Sequence, residues 1–209
     1  GNNYYISFIS LREKYLIMEI IFATANKNKL IEAQKHLGEA FNLITPADLG
    51  FDDDIPETCP TIRENAIQKA QFIWDKFHKN CFADDTGLEI DALNGAPGVY
   101  SARYSGEPKD PRRNVALVLD QLKNTPDNER TARFRCAIAL ILDGNLHVFE
   151  GICEGIITRQ CSGIEGFGYD PIFIPNGFDK TMAQMTLDEK NLISHRGKAL
   201  TLLKDFLQK

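Results

Sequence analysis

The chain has 209 residues, 43% of them hydrophobic, so it is long enough to bury a sizeable core within one domain. Its 29 acidic residues outnumber its 24 basic ones, and a net charge of -5 argues against non-specific binding to a polyanion such as DNA. No apolar run is long enough to span a bilayer, and the five cysteines form no CxxC pair, so we expect reduced thiols in a cytoplasmic protein.

Residues 1–17 are predicted to be an extension that precedes the folded domain. Gly1 is typical of a cleavage scar, and Met18 directly precedes a strand-like run, as a native start would. Polar residues interrupt the apolar stretch at residues 4–11, and its charges follow it, which does not fit an export signal. We therefore expect a single domain from Met18 to Lys209.

The first half of the chain alternates between strand and helix patterns. A β-branched, apolar strand is predicted at Glu19–Thr24, followed by a polar loop and a helical pattern from Leu30. Thr61 and Glu64 fit a capping box, which predicts a helix from about Ile62 to Lys79. Cys81 to Ala83 then reads as a short buried strand.

The second half is predicted to contain a long hairpin. Glycines and prolines between Leu93 and Pro111 favour a loop over a cleft, and a helix follows from about Arg112 to Leu122. Thr131–Leu142 and Asn145–Thr158 are predicted strands joined by an Asp-Gly turn.

A capping box at Thr186–Glu189 and an amphipathic pattern from Ala199 to Leu207 predict helices at the C-terminus. The pattern as a whole predicts an α/β fold with a central mixed sheet flanked by helices. We expect the hairpin to form a lobe, with an active-site cleft between lobes.

Thr24–Lys29 lies where the first strand gives way to a helix. A helix N-terminus presents free N–H groups and a partial positive charge to anions, and Thr24, Asn26 and Lys29 add a hydroxyl, an amide and a full charge. An ordinary solvated turn is the alternative. The chain has no glycine-rich Walker A motif, which disfavours a P-loop kinase or ATPase.

Asp84 and Asp85 are predicted to emerge at the end of the strand that starts at Cys81. Adjacent residues on an extended backbone project differently, so one carboxylate could hold Mg²⁺ while the other accepts a proton from water. The alternative is an acidic turn with Gly87 at a positive φ. If the acidic loop at residues 52–57 folds over the sheet, Glu57 could join Asp85 around one metal ion.

Two further segments suit contacts with a nucleotide. Gly166–Pro171 places two aromatic side chains and an acid among glycines, which suits stacking on a base, although a turn with core aromatics competes. Lys190, Ser194, His195 and Arg196 lie within about two helical turns and offer cations to phosphates, unless they are only helix-surface charge.

Six segments in order resemble the inosine triphosphate pyrophosphatase family, also called non-canonical purine NTP pyrophosphatases or XTP/dITP diphosphatases. The resemblance covers essentially Met18 to Lys209, and six ordered motifs are very unlikely to arise by chance. The segments are Thr24-x-Asn26-x-x-Lys29, Glu64-Asn65-Ala66, Ala83 to Leu88, Gly95 to Tyr104, Phe167-Gly168-Tyr169-Asp170-Pro171, and Glu189-Lys190-Asn191 with Ser194-His195-Arg196.

The resemblance implies that Asp85 is the catalytic acid/base residue and a Mg²⁺ ligand, with Glu57 as the second carboxylate at the metal. Thr86 replaces a serine that is common in the family and keeps its hydroxyl group. Cys59 and Pro60 stand where a glycine is usual, so the loop around Glu57 departs from the family pattern.

The resemblance also implies where the substrate binds. It places the triphosphate at Thr24, Asn26, Lys29 and Lys190, and the base at Phe167, Gly168, Tyr169, Asp170, His195 and Arg196. Ala25, Lys27, Asn28 and Thr86 are further substrate-binding residues by the same resemblance. Water then attacks the α-phosphate, and the products are a nucleoside monophosphate and pyrophosphate. The family resemblance further implies a homodimer.

A 6-oxo group would distinguish inosine and xanthosine from adenosine. Donors from His195 or Arg196 would be left unpaired by ATP, and we hypothesise a close wall near position 2 of the base that rejects GTP. Maf-like pyrophosphatases for other nucleotides and a non-catalytic purine nucleotide sensor are the alternatives. The motifs at residues 167–170 and 194–196 argue against the first, and the intact Asp84-Asp85 pair argues against the second.

Overall fold

The computed structural model describes residues 17–209, so the predicted extension lies outside the described residues except for Ile17. These residues form a six-stranded sheet in the order β2-β1-β3-β4-β5-β6. No helix within this range is long and apolar enough to cross a membrane.

The larger elements alternate between strand and helix in the first half of the chain. In chain order they are β1 (Met18–Phe22), α1 (Lys27–Leu37), β2 (Phe41–Ile44), α2 (Ile62–Phe77), β3 (Cys81–Ile90), α3 (Pro111–Gln121), β4 (Thr131–Leu142), β5 (Asn145–Ile157), β6 (Phe173–Pro175), α4 (Leu187–Ile193) and α5 (His195–Leu207).

The sheet is mixed, as predicted. β1 pairs in parallel with β2 and β3, whereas β3, β4, β5 and β6 pair antiparallel with their neighbours. Side chains of α1 and α5 pack on one face of the central strands, and α2 packs on the other. The predicted α/β class with helices on both faces of a central sheet is therefore confirmed.

The predicted hairpin is present as β4 and β5. Its two strands contribute to all three hydrophobic cores: Phe134 and Cys153 to the core under α3, Ile138 to the core under α1 and α5, and Ala139 to the core under α2. The three cores thus share the strands of this hairpin.

β3 corrects the prediction of a short strand that ends before two acidic residues. The parallel pairing of β1 with β3 ends at Phe22 and Phe82, but β3 continues to Ile90 along β4. Asp84 and Asp85 therefore lie within a strand, just past the end of its parallel neighbour. Gly87 is not a turn residue either: a Cβ there would collide with the carbonyl oxygen of Gly98, so only glycine allows this close approach.

Two other segments also differ from their predicted structure. The loop between Leu93 and Pro111 contains a six-residue 3-10 helix at Gly98–Arg103. The predicted single helical stretch from Lys190 to Arg196 is wrong, because Ser194 has an extended backbone that ends α4 and caps α5. A Ser side chain that accepts the Gly197 N–H favours a new helix start at this point.

Candidate active site

The loop between β1 and α1 leads into the N-terminus of α1, where the helix dipole favours negative charge. Asn26 is the N-cap of α1, and its side-chain oxygen accepts the N–H groups of Asn28 and Lys29. Thr24, Ala25, Asn26 and Lys29 line a cavity of about 530 Å³, which we call the phosphate cavity after the ligand that the family resemblance implies; Asp84, Glu57 and Lys69 also line it. Lys27 is exposed at the first position of α1.

Asp84 is buried between two cations. Its side chain is 4% exposed and lies 3.1 Å from the ammonium of Lys29 and 3.6 Å from Nε of Arg196. Burial acts to raise its pKa, but the charges of Lys29 and Arg196 outweigh burial and hold the pKa of Asp84 well below its usual range. Asp84 is therefore ionised, and its charge holds the side chains of Lys29 and Arg196 in place.

Asp85 is in a different electrostatic setting, although it is the next residue. Its nearest cation is Lys69, 3.9 Å away, and its Oδ2 is buried without a hydrogen-bond partner. Burial, helped by the negative charges of Glu57 and Asp84 and opposed by Lys69, raises the pKa of Asp85 to about 6. A carboxylate with a free oxygen and a pKa near neutrality is suited to accept a proton from water.

Glu57 and Lys69 complete this carboxylate cluster. The Lys69 ammonium lies 2.6 Å from Oε1 of Glu57, and the charge of Lys69 lowers the pKa of Glu57 despite partial burial of the carboxylate. The acidic loop is thus linked to Asp85 of β3 through Lys69. Lys69 was missed by the sequence analysis, although it lies on the apolar stripe of α2, three residues after Ala66 and four before Ile73, where an exposed lysine is not expected.

Two carboxylates at this point could hold a divalent metal ion. Glu57 and Asp85 both lie within 4 Å of the Lys69 ammonium, and Oδ2 of Asp85 has no partner. Residues 17–209 contain no cluster of three His, Cys, Asp or Glu side chains that could enclose a metal. Mg²⁺ commonly uses one or two carboxylates and takes its other ligands from water and substrate phosphates, so two carboxylates fit this ion.

A second cavity, of about 300 Å³, lies beside β3, and we call it the base cavity after the part of the substrate that the family resemblance implies for it. Leu88 and Phe134 give it apolar walls, and Thr86 and Gly168 also line it. The His195 ring stacks on Phe134 with centroids 4.9 Å apart, and Nδ1 of His195 has no hydrogen-bond partner. Burial lowers the pKa of His195 well below its usual value, so this imidazole is neutral.

The two aromatic residues of the glycine-rich segment have different environments. Phe167 is 56% exposed, and the cations of Lys190 and Arg196 lie 4.6 Å and 5.6 Å from its ring centroid. Tyr169 is buried, and its hydroxyl donates to the carbonyl of Ser101 at 2.6 Å. Both interpretations of this segment therefore apply, since Phe167 is available for stacking and Tyr169 belongs to the core.

Lys190 lies on the base side of the site. Its ammonium donates to Asp170 at 2.6 Å, and Asp170 also accepts the N–H of Phe167. Lys190 lines the base cavity and an adjoining groove that reaches Asn28 and Lys29, whereas Thr24 lies in the phosphate cavity. The structure thus brings Lys190 to a groove shared with the first loop, but on the side of the base cavity.

Two supporting contacts were not anticipated from the sequence. Glu32 of α1 accepts a hydrogen bond from Arg196 at 3.4 Å. Asn114 of α3 is buried, donates to the carbonyls of Ser101 and Ala102, and so holds the 3-10 helix against the cavity. The sequence signal for this contact was an asparagine next to Val115, on the apolar face of α3, since a buried polar side chain needs hydrogen-bond partners.

Gly151 of β5 positions the other side of the base cavity. A Cβ at Gly151 would collide with the backbone of His195 and Ala199, so the first turn of α5 packs directly on the strand backbone. His195 and Arg196 follow the capping residue Ser194 in that turn. Their position relative to the sheet is therefore set by backbone contact.

Comparison with known proteins places this geometry in a family. The Ham1 family model matches residues 20–206. The chain is 49% identical to a dITP/XTP pyrophosphatase from Christiangramia forsetii over 192 residues, which cover 92% of this chain and 100% of the relative. A dITP/XTP pyrophosphatase from Bacillus subtilis is 47% identical over 195 residues, 92% of this chain and 98% of the relative.

A solved structure agrees with these sequence matches. The Ham1 protein of Staphylococcus aureus superposes with a TM-score of 0.85 at 42% identity, over 91% of this chain and 98% of that one. The six ordered motifs, the mixed sheet and the full-length matches lead to one conclusion. The chain belongs to the Ham1 family, the family of non-canonical purine nucleotide pyrophosphatases that its motifs resemble.

Proposed function

We propose that the protein hydrolyses non-canonical purine nucleoside triphosphates, namely ITP, dITP and XTP, to the monophosphate and pyrophosphate. The observation that carries this proposal is the pair of adjacent buried carboxylates, one fixed by two cations and the other with a free oxygen. The names of the curated relatives, dITP/XTP pyrophosphatases, support the substrate class. Met18–Lys209 would act as one catalytic domain.

Asp85 is the proton acceptor in the proposed mechanism. A water molecule attacks the α-phosphorus, the water proton passes to Asp85, and the bond to the β-phosphate breaks so that pyrophosphate leaves with its electron pair. Lys29 and the partial positive charge at the start of α1 bind the terminal phosphates. Glu57 and Asp85 would hold Mg²⁺, which when bound neutralises phosphate charge.

His195 and Arg196 select the base in this proposal. A neutral imidazole carries one N–H donor, and the Arg196 guanidinium lies close to the exposed Phe167 ring, on which a base can stack. Donors that meet the 6-oxo group of hypoxanthine or xanthine would face the amino group of adenine in ATP. A buried donor left unpaired in this way discriminates strongly.

The substrate assignment is tested by pyrophosphate release from ITP, dITP, XTP, ATP, GTP and dTTP, each measured with Mg²⁺. We expect kcat/KM to be highest for the first three. A preference for dTTP would favour a Maf-like activity, and a preference for ATP would contradict the selection by His195 and Arg196. Binding of ITP with no turnover of any nucleotide would favour a purine nucleotide sensor.

We also propose that the protein acts in the cytoplasm as a homodimer that needs Mg²⁺. The five free cysteines suit a reducing compartment. Light scattering after size exclusion measures the mass of the particle, and a monomer at working concentration would contradict the dimer. Removal of divalent ions with EDTA, followed by addition of Mg²⁺ or Ca²⁺ alone, tests the metal.

A further inference from the structure

Lys109 lies where the two cavities of the site meet. Of residues 17–209, it alone lines both the base cavity and the phosphate cavity. In a nucleoside triphosphate, the ribose and the α-phosphate connect the base to the two terminal phosphates. A substrate with its base in one cavity and its terminal phosphates in the other therefore has its α-phosphate beside Lys109.

The backbone on both sides of Lys109 is held in place. Asp110 caps α3, with its side chain accepting the N–H of Arg112 at 2.9 Å and of Arg113 at 3.3 Å. On the other side, Ser105 donates its N–H to Asn114 of α3 at 2.8 Å. The exposed Lys109 side chain is thus presented from a fixed point at the mouth of the cleft.

Lys109 is also the one cationic side chain lining these cavities, within residues 17–209, that is not paired with a carboxylate. The other cationic side chains that line the two cavities are each paired with a carboxylate: Lys29 with Asp84, Lys69 with Glu57, Lys190 with Asp170, and Arg196 with Glu32. Within the described part of the chain, Lys109 has no carboxylate at ion-pair distance, although it is near enough for its charge to act on Glu57.

An incoming triphosphate brings several negative charges into a cleft whose cations are already balanced. We propose that Lys109 binds the α-phosphate of the substrate and so positions the phosphorus at which hydrolysis occurs. This inference rests on the proposed function and adds a substrate contact to it. An ammonium paired with a phosphate oxygen forms a charge-assisted hydrogen bond, which is strongest where negative charge builds up during the reaction.

The test compares three variants with the unaltered enzyme. Lys109→Met removes the charge and keeps most of the length of the side chain, and Lys109→Arg keeps the charge. Lys123→Met is the matched control, because Lys123 is an exposed lysine beside Asp120 that lines neither cavity. For each protein we would measure kcat/KM for ITP and the inhibition constants of IMP and of pyrophosphate.

IMP carries the α-phosphate, whereas pyrophosphate represents the two terminal phosphates, so the two inhibitors separate the possible contacts. We expect Lys109→Met to lower kcat/KM for ITP about tenfold and to raise the inhibition constant of IMP about tenfold. The inhibition constant of pyrophosphate should change by less than about twofold. Lys109→Arg should recover most of this loss, and Lys123→Met should behave like the unaltered enzyme.

Two results would overturn the inference. An unchanged inhibition constant of IMP in Lys109→Met would show that Lys109 does not bind the α-phosphate. An equal rise in the inhibition constants of IMP and pyrophosphate would show a general effect of the charge on the cleft. An unaltered enzyme that failed to hydrolyse ITP would instead contradict the proposed function, so the two failures are distinguishable.

Discussion

Asp84 and Asp85 are neighbours on β3, yet their surroundings differ in the ratio of cations to carboxylates. On one side of the strand, Lys29 and Arg196 both face Asp84. On the other side, Lys69 is shared between Asp85 and Glu57. Both carboxylates are withdrawn from solvent, but the pKa falls for Asp84 and rises for Asp85. The charges opposite a buried carboxylate, more than its burial, therefore decide whether it is structural or reactive.

The largest effect that would distinguish the two carboxylates is on the turnover of ITP. Asp85→Asn removes the proposed proton acceptor while keeping the shape of the side chain, and we expect kcat for ITP to fall by about 10³-fold. Calorimetry should still detect ITP binding, because the cations of the phosphate cavity remain. Activity within tenfold of the unaltered enzyme would remove Asp85 from its assigned role.

The next largest effect is on the free energy of unfolding, and we expect it for substitution of Asp84. Asp84→Asn leaves the buried charges of Lys29 and Arg196 without their shared partner, so the free energy of unfolding should drop by about 3–5 kcal/mol. Urea denaturation measures this change, and Asp85→Asn serves as the comparison in the same assay. A loss below about 1 kcal/mol for Asp84→Asn would break the contrast between the two carboxylates.

The smallest effect is on how stability depends on pH, measured without divalent ions. The pKa of Asp85 is raised from 3.8 to about 6 on folding, so its contribution to stability is present in full below its unfolded pKa and is lost as pH rises through the folded one. Asn at this position cannot titrate. The unfolding free energy of the unaltered protein minus that of Asp85→Asn should therefore fall by about 2–3 kcal/mol between pH 4 and pH 7.

Parallel urea titrations of the two proteins across this pH range would supply that difference. Asp84 titrates in both proteins and cancels in the subtraction, provided that its ion pairs are undisturbed. A difference that stays constant with pH would mean that folding does not raise the pKa of Asp85.

Much of the fold could be predicted from local sequence. Apolar periodicity and the capping residue Thr61 placed the start of α2, and the Asp-Gly pair placed the turn between β4 and β5. Both signals act within a few residues, so a single sequence carries them. The extension of β3 to Ile90 did not follow, because its cause is pairing with β4 and the close approach of Gly98, which are distant in sequence.

The sequence named the residues of the candidate site but not their pairings. Alternation along a strand suggested different roles for Asp84 and Asp85, and the structure gives the two carboxylates different neighbours. Nothing local could show that Lys29 would neutralise one of them and Lys69 the other, since each ion pair joins separate elements. Lys69 itself was overlooked because a lysine within an apolar stripe reads as an interruption of the pattern.

The contact at Gly151 has a consequence for attempts to redesign the base preference. The position of His195 and Arg196 depends on a point on β5 that no side chain occupies, because α5 packs there on bare backbone. A mutant library restricted to residues that face the base would leave this point untouched. Adding even a methyl group at Gly151 would push the start of α5 away from the sheet, and with it the two residues that we propose select the base.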